Sequence, residues 1–299
     1  VIPQITAIYG NCGGGLAIFP TLTDFTFMEK TEAKLFVNSP NAIEGNNIDK
    51  IDTSGSDFQS RETGLVDFLG DEESIADGIR QLITMIPCNN EDNDSFDECF
   101  DELNRSCEGI SSISKDAAAL LAEISDEHIF LEMKSDYAKS MVTGLIRLNG
   151  VTVGAVANRS VVFDSEGNVA ESFEEVITPD GAEKAAAFIN MCDAFAIPVL
   201  SVTNAKGFEA TIESEKRISK AVGRMIYAFS NATVPKVNII TGEAFGSAYV
   251  AMNSSSIGAD VVYAWTSAKI GMMDPVMAAK IMYADEINKS EDAAALINE

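Results

Sequence analysis

The sequence has 299 residues, 46% of them hydrophobic, enough for one or two domains with a substantial core. Asp plus Glu number 46 against 21 Lys plus Arg, a formal net charge of −25, so a general nucleic-acid binder, which must neutralise phosphates, is not expected. No stretch approaches the roughly 18 consecutive apolar residues of a membrane span, and the single histidine, His128, argues against a His-based triad or a multi-His metal site, so no metal is expected.

In chain order, Thr6-Ala7-Ile8-Tyr9 predicts a strand that runs into Gly10-Asn11-Cys12-Gly13-Gly14-Gly15. A helix is expected over Leu16 to Leu22, then a strand at Phe25 to Met28. An extended piece at Ala33 to Val37 closes on Ser39-Pro40. Residues 41–70 are polar and turn-rich, which predicts loop with short elements. Asp71 to Ile86 reads as a helix with Ile75, Ile79, Leu82, Ile83 and Ile86 on one face. Asp71-Glu72-Glu73 favours its start and Pro87 stops it.

Residues 88–127 contain the acidic run Glu91 to Glu98. It lacks the glycine and closing glutamate of a calcium loop and is expected to be a solvated interdomain linker. From Ser140 the pattern is α/β. Strands are predicted at Leu145 to Leu148, Thr152 to Ala157 and Val161 to Phe163, the first two joined by a hairpin turn at Asn149-Gly150. A helix opens at Asp180-Gly181 with Ala185, Phe188, Ile189, Cys192 and Phe195 inward. Pro198 to Thr203 is a buried strand, followed by a polar loop with Gly207-Phe208. Ile218, Val222, Met225 and Phe229 make a second helix face. Alternating strands and helices imply a mainly parallel sheet wrapped by helices.

The stretch Pro235 to Pro275 repeats the N-terminal pattern. A strand at Val237 to Thr241 runs into Gly242-Glu243-Ala244-Phe245-Gly246-Ser247, then into a helix with Ala248, Tyr249, Ala251 and Met252. A strand at Asp260 to Trp265 and an extended piece at Ala268 to Met273 come next, closed by Asp274-Pro275. Setting Gly10 on Gly242 places Gly14 and Gly15 on Gly246 and Ser247, and Ala33 to Val37 on Ala268 to Met272. A sharp glycine turn from strand to helix leaves N–H groups free at the helix start, and these suit a negatively charged oxygen. The alternative is two tight turns that serve packing alone. The final segment begins as a helix with Met277, Ile281 and Met282 and runs to Glu299 without a stop signal.

The cysteines Cys12, Cys88, Cys99, Cys107 and Cys192 form no C-x-x-C pair. With no leader pattern at Val1-Ile2-Pro3, reduced thiols and a cytoplasmic location are expected. Cys12 lies in the first glycine turn without a paired histidine and reads as a small filler rather than a nucleophile.

Four stretches carry a family resemblance: Gly10 to Phe27, Asp136 to Asn158, Phe188 to Pro198 and Gly242 to Asp274. The chain resembles the carboxyltransferase subunits of biotin-dependent acyl-CoA carboxylases and decarboxylases, such as the propionyl-CoA carboxylase β subunit and the glutaconyl-CoA decarboxylase α subunit. The resemblance implies a crotonase-like α/β fold, as in ClpP and crotonase, a superhelix of ββα units in two related domains. Residues 1–87 would be the C-terminal part of the N-terminal domain, 88–135 an acidic linker and 136–299 the C-terminal domain. It implies transfer of CO2 between carboxybiotin and the α-carbon of a short acyl-CoA through an enolate held by backbone oxyanion holes. Gly14 and Gly15 would serve the acyl-CoA, and Ser247 and Ala248 the biotin. Gly13, Gly246, Tyr249 and Val250 would contact substrate, Val250 at the acyl pocket. Ser247 stands where the family commonly has glycine, and Asp274-Pro275 replaces a Gly-Ala type pair. The implied partners are a biotin carboxyl carrier protein and a biotin carboxylase, or membrane decarboxylase subunits, with the chain itself a dimer or hexamer. The alternatives are a decarboxylase α subunit acting on glutaconyl- or methylmalonyl-CoA, a non-catalytic assembly subunit of the same fold, and a ClpP-like peptidase, which the position of His128 disfavours.

Overall fold

The computed structural model describes residues 1–91, 96–102 and 104–287. The middle of the acidic run and the last residues, 288–299, with the expected absence of a stop signal there, lie outside the described residues.

The N-terminal part carries β1 (Ile5–Ile8), β2 (Asn11–Gly13), β3 (Phe25–Glu29), β4 (Lys34–Phe36) and β5 (Phe68–Gly70). β1, β3 and β5 form one parallel sheet and β2 pairs with β4 beside it. Helix α1 (Glu72–Met85) comes next. Its N-cap is Asp71, whose carboxylate accepts the Ser74 N–H at 2.9 Å. Ile75, Leu82, Met85 and the adjoining Ile86 are buried, whereas Ile83 faces outward. The inward face is therefore narrower than the one expected from spacing.

The larger sheet is built from β6 (Phe130–Met133), β7 (Met141–Leu148), β8 (Val151–Asn158), β12 (Val199–Ala205), β14 (Lys236–Phe245), β15 (Val261–Ala264) and β16 (Lys269–Gly271). Its order is β15-β14-β12-β8-β7-β6, with β16 on the far half of β14. β7 and β8 are antiparallel and meet at Leu148 and Val151. Asn149 and Gly150 both have positive φ there, the two-residue hairpin that the Asn-Gly pair predicted. β8, β12, β14 and β15 are parallel. Between them in the chain lie the short strands β9 (Val161–Phe163), β10 (Val169–Ser172), β11 (Val176–Ile177) and β13 (Gly207–Phe208). β13 occupies the expected polar loop because it pairs with β11.

Side chains alternate across this sheet, so each face has its own core. On one side Met141, Leu145, Val156 and Val199 meet α3 (Pro179–Ala194) and α4 (Ile218–Asn231) through Ala185, Ile189, Phe195, Met225 and Phe229. Phe25, Phe27, Ile75, Leu82 and Met85 belong to this same core. Burying each such large side chain contributes about 1.5–3 kcal/mol. The helix faces at Ile75 to Ile86 and Ile218 to Phe229 are thus spent inside the chain and are not free for a partner. On the other side Val142, Ile146, Ala155, Leu200 and Val202 pack against α2 (Ala117–Ile124) through Leu120 and Leu121.

Helix α2 and β6 both fall in the segment expected to be an acidic linker. Acidic flanks masked a short apolar helix that the sheet needs as a cover. Lys184 on α3 is buried and donates to the carbonyls of Lys134 and Tyr137 at 2.8 Å each, and burial lowers its pKa to about 7. No described helix is long and apolar enough to cross a membrane.

Candidate active site

The sequence repeat holds pair by pair in the structure. Asn11, Cys12 and Gly13 of β2 face Lys34, Leu35 and Phe36. Their counterparts Glu243, Ala244 and Phe245 face Lys269, Ile270 and Gly271. The strand does not turn at Gly242, as expected, but continues through Phe245 because β16 pairs with this end of it. Each turn is instead a single residue. Gly13 (φ −117°, ψ 157°) and Phe245 (φ −116°, ψ 136°) are both extended. The next residues, Gly14 (φ +63°) and Gly246 (φ +56°), swing into the left-handed region that favours glycine.

A helix starts directly behind each turn. The first, Gly14–Thr21, is a 3-10 helix, whereas the second, α5 (Gly246–Ala251), is α-helical. The first helix contains Pro20, which donates no backbone hydrogen bond. No side chain caps either start. The leading N–H groups therefore lack intrahelical partners and point along the helix axis. By geometry the pair beyond the turn is Gly15 and Leu16 in the first copy and Ser247 and Ala248 in the second. Leu16 was not among the residues expected from the sequence, since a backbone N–H carries no side-chain signal.

The two surroundings differ. Gly15 is exposed, and a Cβ on Gly14 or Gly15 would meet nothing within 4 Å. A Cβ on Gly13 would strike the Phe36 ring at 2.7 Å, so Gly13 is a packing glycine. The second turn lies at the edge of a cavity of about 750 Å³. Gly246, Ser247 and Ala248 line it, together with Phe173, Phe208 and Lys206. The exposed α6 (Pro275–Met282), capped by Asp274, forms a further wall with Val276, Met277 and Ile281. Tyr249 and Val250, expected to contact substrate, are half-buried on α5 and line no part of this cavity. Gly14 and Gly15 do not line it either.

Charged groups gather behind the second turn. The Lys206 ammonium lies 2.9 Å from Glu175 and 3.6 Å from Glu243. The Glu175 hydrogen bond pushes the Lys206 pKa up. Burial pushes Glu175 up, but hydrogen bonds from Lys206 and Asn204 outweigh it and leave its pKa below the usual range. Burial also raises the Cys12 thiol, which fits a filler and not a nucleophile. His128 is exposed near Glu123, remote in sequence from either turn. Among the described residues no group of three or more His, Cys, Asp or Glu side chains is placed to hold a metal ion.

Repeated strand-turn-helix units around a mainly parallel sheet, each opening a helix start to solvent, define the crotonase-like class of carboxyltransferase folds. The chain belongs to the carboxyl transferase family: the carboxyl transferase domain model matches residues 1–299. It is 37% identical over 300 residues to a putative propionyl-CoA carboxylase beta chain of Bacillus subtilis, covering 98% of this chain and 57% of that relative. It is 34% identical to the methylmalonyl-CoA decarboxylase subunit alpha of Propionigenium modestum, covering 99% of this chain and 57% of the relative. The crystal structure of transcarboxylase 12S, a hexamer with methylmalonyl-coenzyme A bound, superposes with a TM-score of 0.83 at 32% identity, over 100% of this chain and 57% of that one. The chain thus spans a little over half the length of these relatives.

Proposed function

We propose that this chain supplies carboxyltransferase chemistry to a biotin-dependent acyl-CoA enzyme, moving a carboxyl group between carboxybiotin and the α-carbon of a short acyl-CoA. The observation that carries this reading is the matched pair of turns at Gly14 and Gly246, with the same backbone conformation and the same strand pairing. Gly14, Gly15 and Leu16 would hold the thioester oxygen of the acyl-CoA as it gains charge. Ser247 and Ala248 would hold the ureido oxygen of biotin, whose carboxylated form supplies the transferred unit. The cavity beside Ser247, apolar along α6 and Phe208 and charged at Lys206, suits such an amphipathic ring. Loss of one donor of this kind typically costs about 3–4 kcal/mol of transition-state stabilisation.

Residues 1–87 are then the C-terminal part of an N-terminal carboxyltransferase domain, 136–299 the C-terminal domain and 88–135 the connection. Because α2 packs on the C-terminal sheet and β6 is a strand of it, residues 117–133 of that connection go with the C-terminal domain. The N-terminal turn of one copy would face the C-terminal turn of another, as a homo-oligomer served by a biotin carrier protein and a biotin carboxylase.

The test is transfer of labelled carboxylate from malonyl-, methylmalonyl- or glutaconyl-CoA to free biotin by the full-length protein. Biotin-dependent release from at least one is expected. No turnover of any would leave an assembly subunit of the same fold.

A further inference from the structure

The ladder between β12 and β14 breaks one step before the second turn. Thr203 pairs with Ile240, but the next pair is Ala205 with Ala244. Asn204 alone therefore faces Thr241, Gly242 and Glu243. A bulge of this kind bends a strand and re-aims the residues beyond it. Here it also divides β14 between two neighbours, β15 along Val237 to Ile240 and β16 along Glu243 to Phe245.

The buried Asn204 side chain fills the break. Its amide oxygen accepts the Glu243 N–H at 2.9 Å, and its amide nitrogen donates to Glu175 at 3.3 Å. Those two contacts fix which way the amide points. The Asn204 backbone N–H, displaced from the ladder, donates to the Asn158 side chain at 3.1 Å. A Cβ on Gly242 would come within 2.4 Å of the Asn204 amide oxygen, so the glycine is what admits the amide. Only Ala244 and Phe245 separate Glu243 from Gly246.

We propose that Asn204 positions the Gly246–Ala248 turn, its amide oxygen replacing the ladder bond that β14 gives up at the bulge. The functional consequence rests on the carboxyltransferase reading above. Asn204 touches no reactant. It acts by fixing the direction from which the strand delivers the Ser247 and Ala248 N–H groups. A displacement of about 1 Å at such a site costs on the order of a hundredfold in rate.

Three variants of the full-length protein test this, with kcat, the KM values for biotin and acyl-CoA, thermal unfolding and the amide exchange rate of Glu243 as readouts. Asn204→Ala is expected to lower kcat on the order of a hundredfold with the acyl-CoA KM unchanged, and to speed exchange at Glu243. Asn204→Asp keeps an oxygen that can accept the Glu243 N–H but turns the 3.3 Å donation to Glu175 into a carboxylate–carboxylate contact, so exchange at Glu243 is expected to stay closer to the wild type than in Asn204→Ala while thermal stability falls. Gly242→Ala, which expels the amide with Asn204 still present, is expected to reproduce Asn204→Ala. Unchanged kcat in Asn204→Ala, or rates that merely track the folded fraction in all three variants, would overturn the proposal. If the wild type turns over no acyl-CoA, the carboxyltransferase reading fails, and Glu243 exchange alone decides: faster in Asn204→Ala supports the clamp, unchanged refutes it.

Discussion

The carbonyl oxygen of Met272 lies 2.7 Å from the point where a Cβ on Gly246 would stand. The chain leaving β16 therefore braces the second turn from behind, whereas a Cβ on Gly14 would meet nothing within 4 Å. The same substitution should cost different amounts at the two copies. Gly14→Ala meets only the left-handed backbone, about 1–2 kcal/mol. Gly246→Ala adds a clash with a carbonyl in a packed place, for a total of roughly 2–5 kcal/mol. Urea unfolding of the two variants measures the gap, and equal losses would mean that the Met272 segment yields freely.

The cap of α1 gives a pH dependence. Hydrogen bonds from the Ser74 hydroxyl and N–H, with Lys30 nearby, hold the Asp71 carboxyl at about 2. A carboxyl depressed in the folded state adds stability above its unfolded value, near 4, and loses it as pH falls through the folded one. The stability difference between wild type and Asp71→Ala should hold steady above about pH 4 and shrink towards pH 2. Denaturant unfolding across this range checks it.

Both turns are flanked by exposed apolar side chains. Phe19 is 60% and Leu22 70% exposed beside the first, and Met272 92% and Met273 48% beside the second. The buried faces of α1 and α4 are already used inside the chain, so exposed side chains such as these are the ones a second copy would cover. The full-length protein should sediment as a dimer or larger, with an interface of about 2,000 Å² or more. A Phe19→Asp, Leu22→Asp protein should remain folded, dissociate and lose turnover. An active monomer at micromolar concentration would show that no second copy completes the site.

Much of this was legible in the sequence. The repeat from Gly10 to Pro40 and from Gly242 to Pro275 sets the pairing of β2 with β4 and of β14 with β16 in register. The Asn149-Gly150 hairpin and the α1, α3 and α4 helices arise from turn chemistry and period. The end of β14 was not legible, because Gly242 and Glu243 are poor strand formers and are held by β16 and Asn204, partners distant in sequence. Helix α2 was hidden among acidic residues, and its role appears only once the sheet face above it is known. The roles proposed for Leu16 and Asn204 had no sequence signal for related reasons: one offers only a backbone N–H, and the other bonds to a residue that spacing does not bring near it. Tyr249 and Val250, carried over by resemblance, stand outside the cavity of this chain.

The central claim is that each turn serves a different reactant, and the most direct measurement is the pair of KM values in two variants. Gly15 has ordinary φ and open space around its missing Cβ, so Gly15→Val should fold and simply block approach. Ser247 is exposed at the other turn, and Ser247→Val does the same there. The expected result is a rise on the order of tenfold in the acyl-CoA KM alone for Gly15→Val, and in the biotin KM alone for Ser247→Val. Both variants acting on the same reactant, or neither changing either value, would contradict the two-turn site.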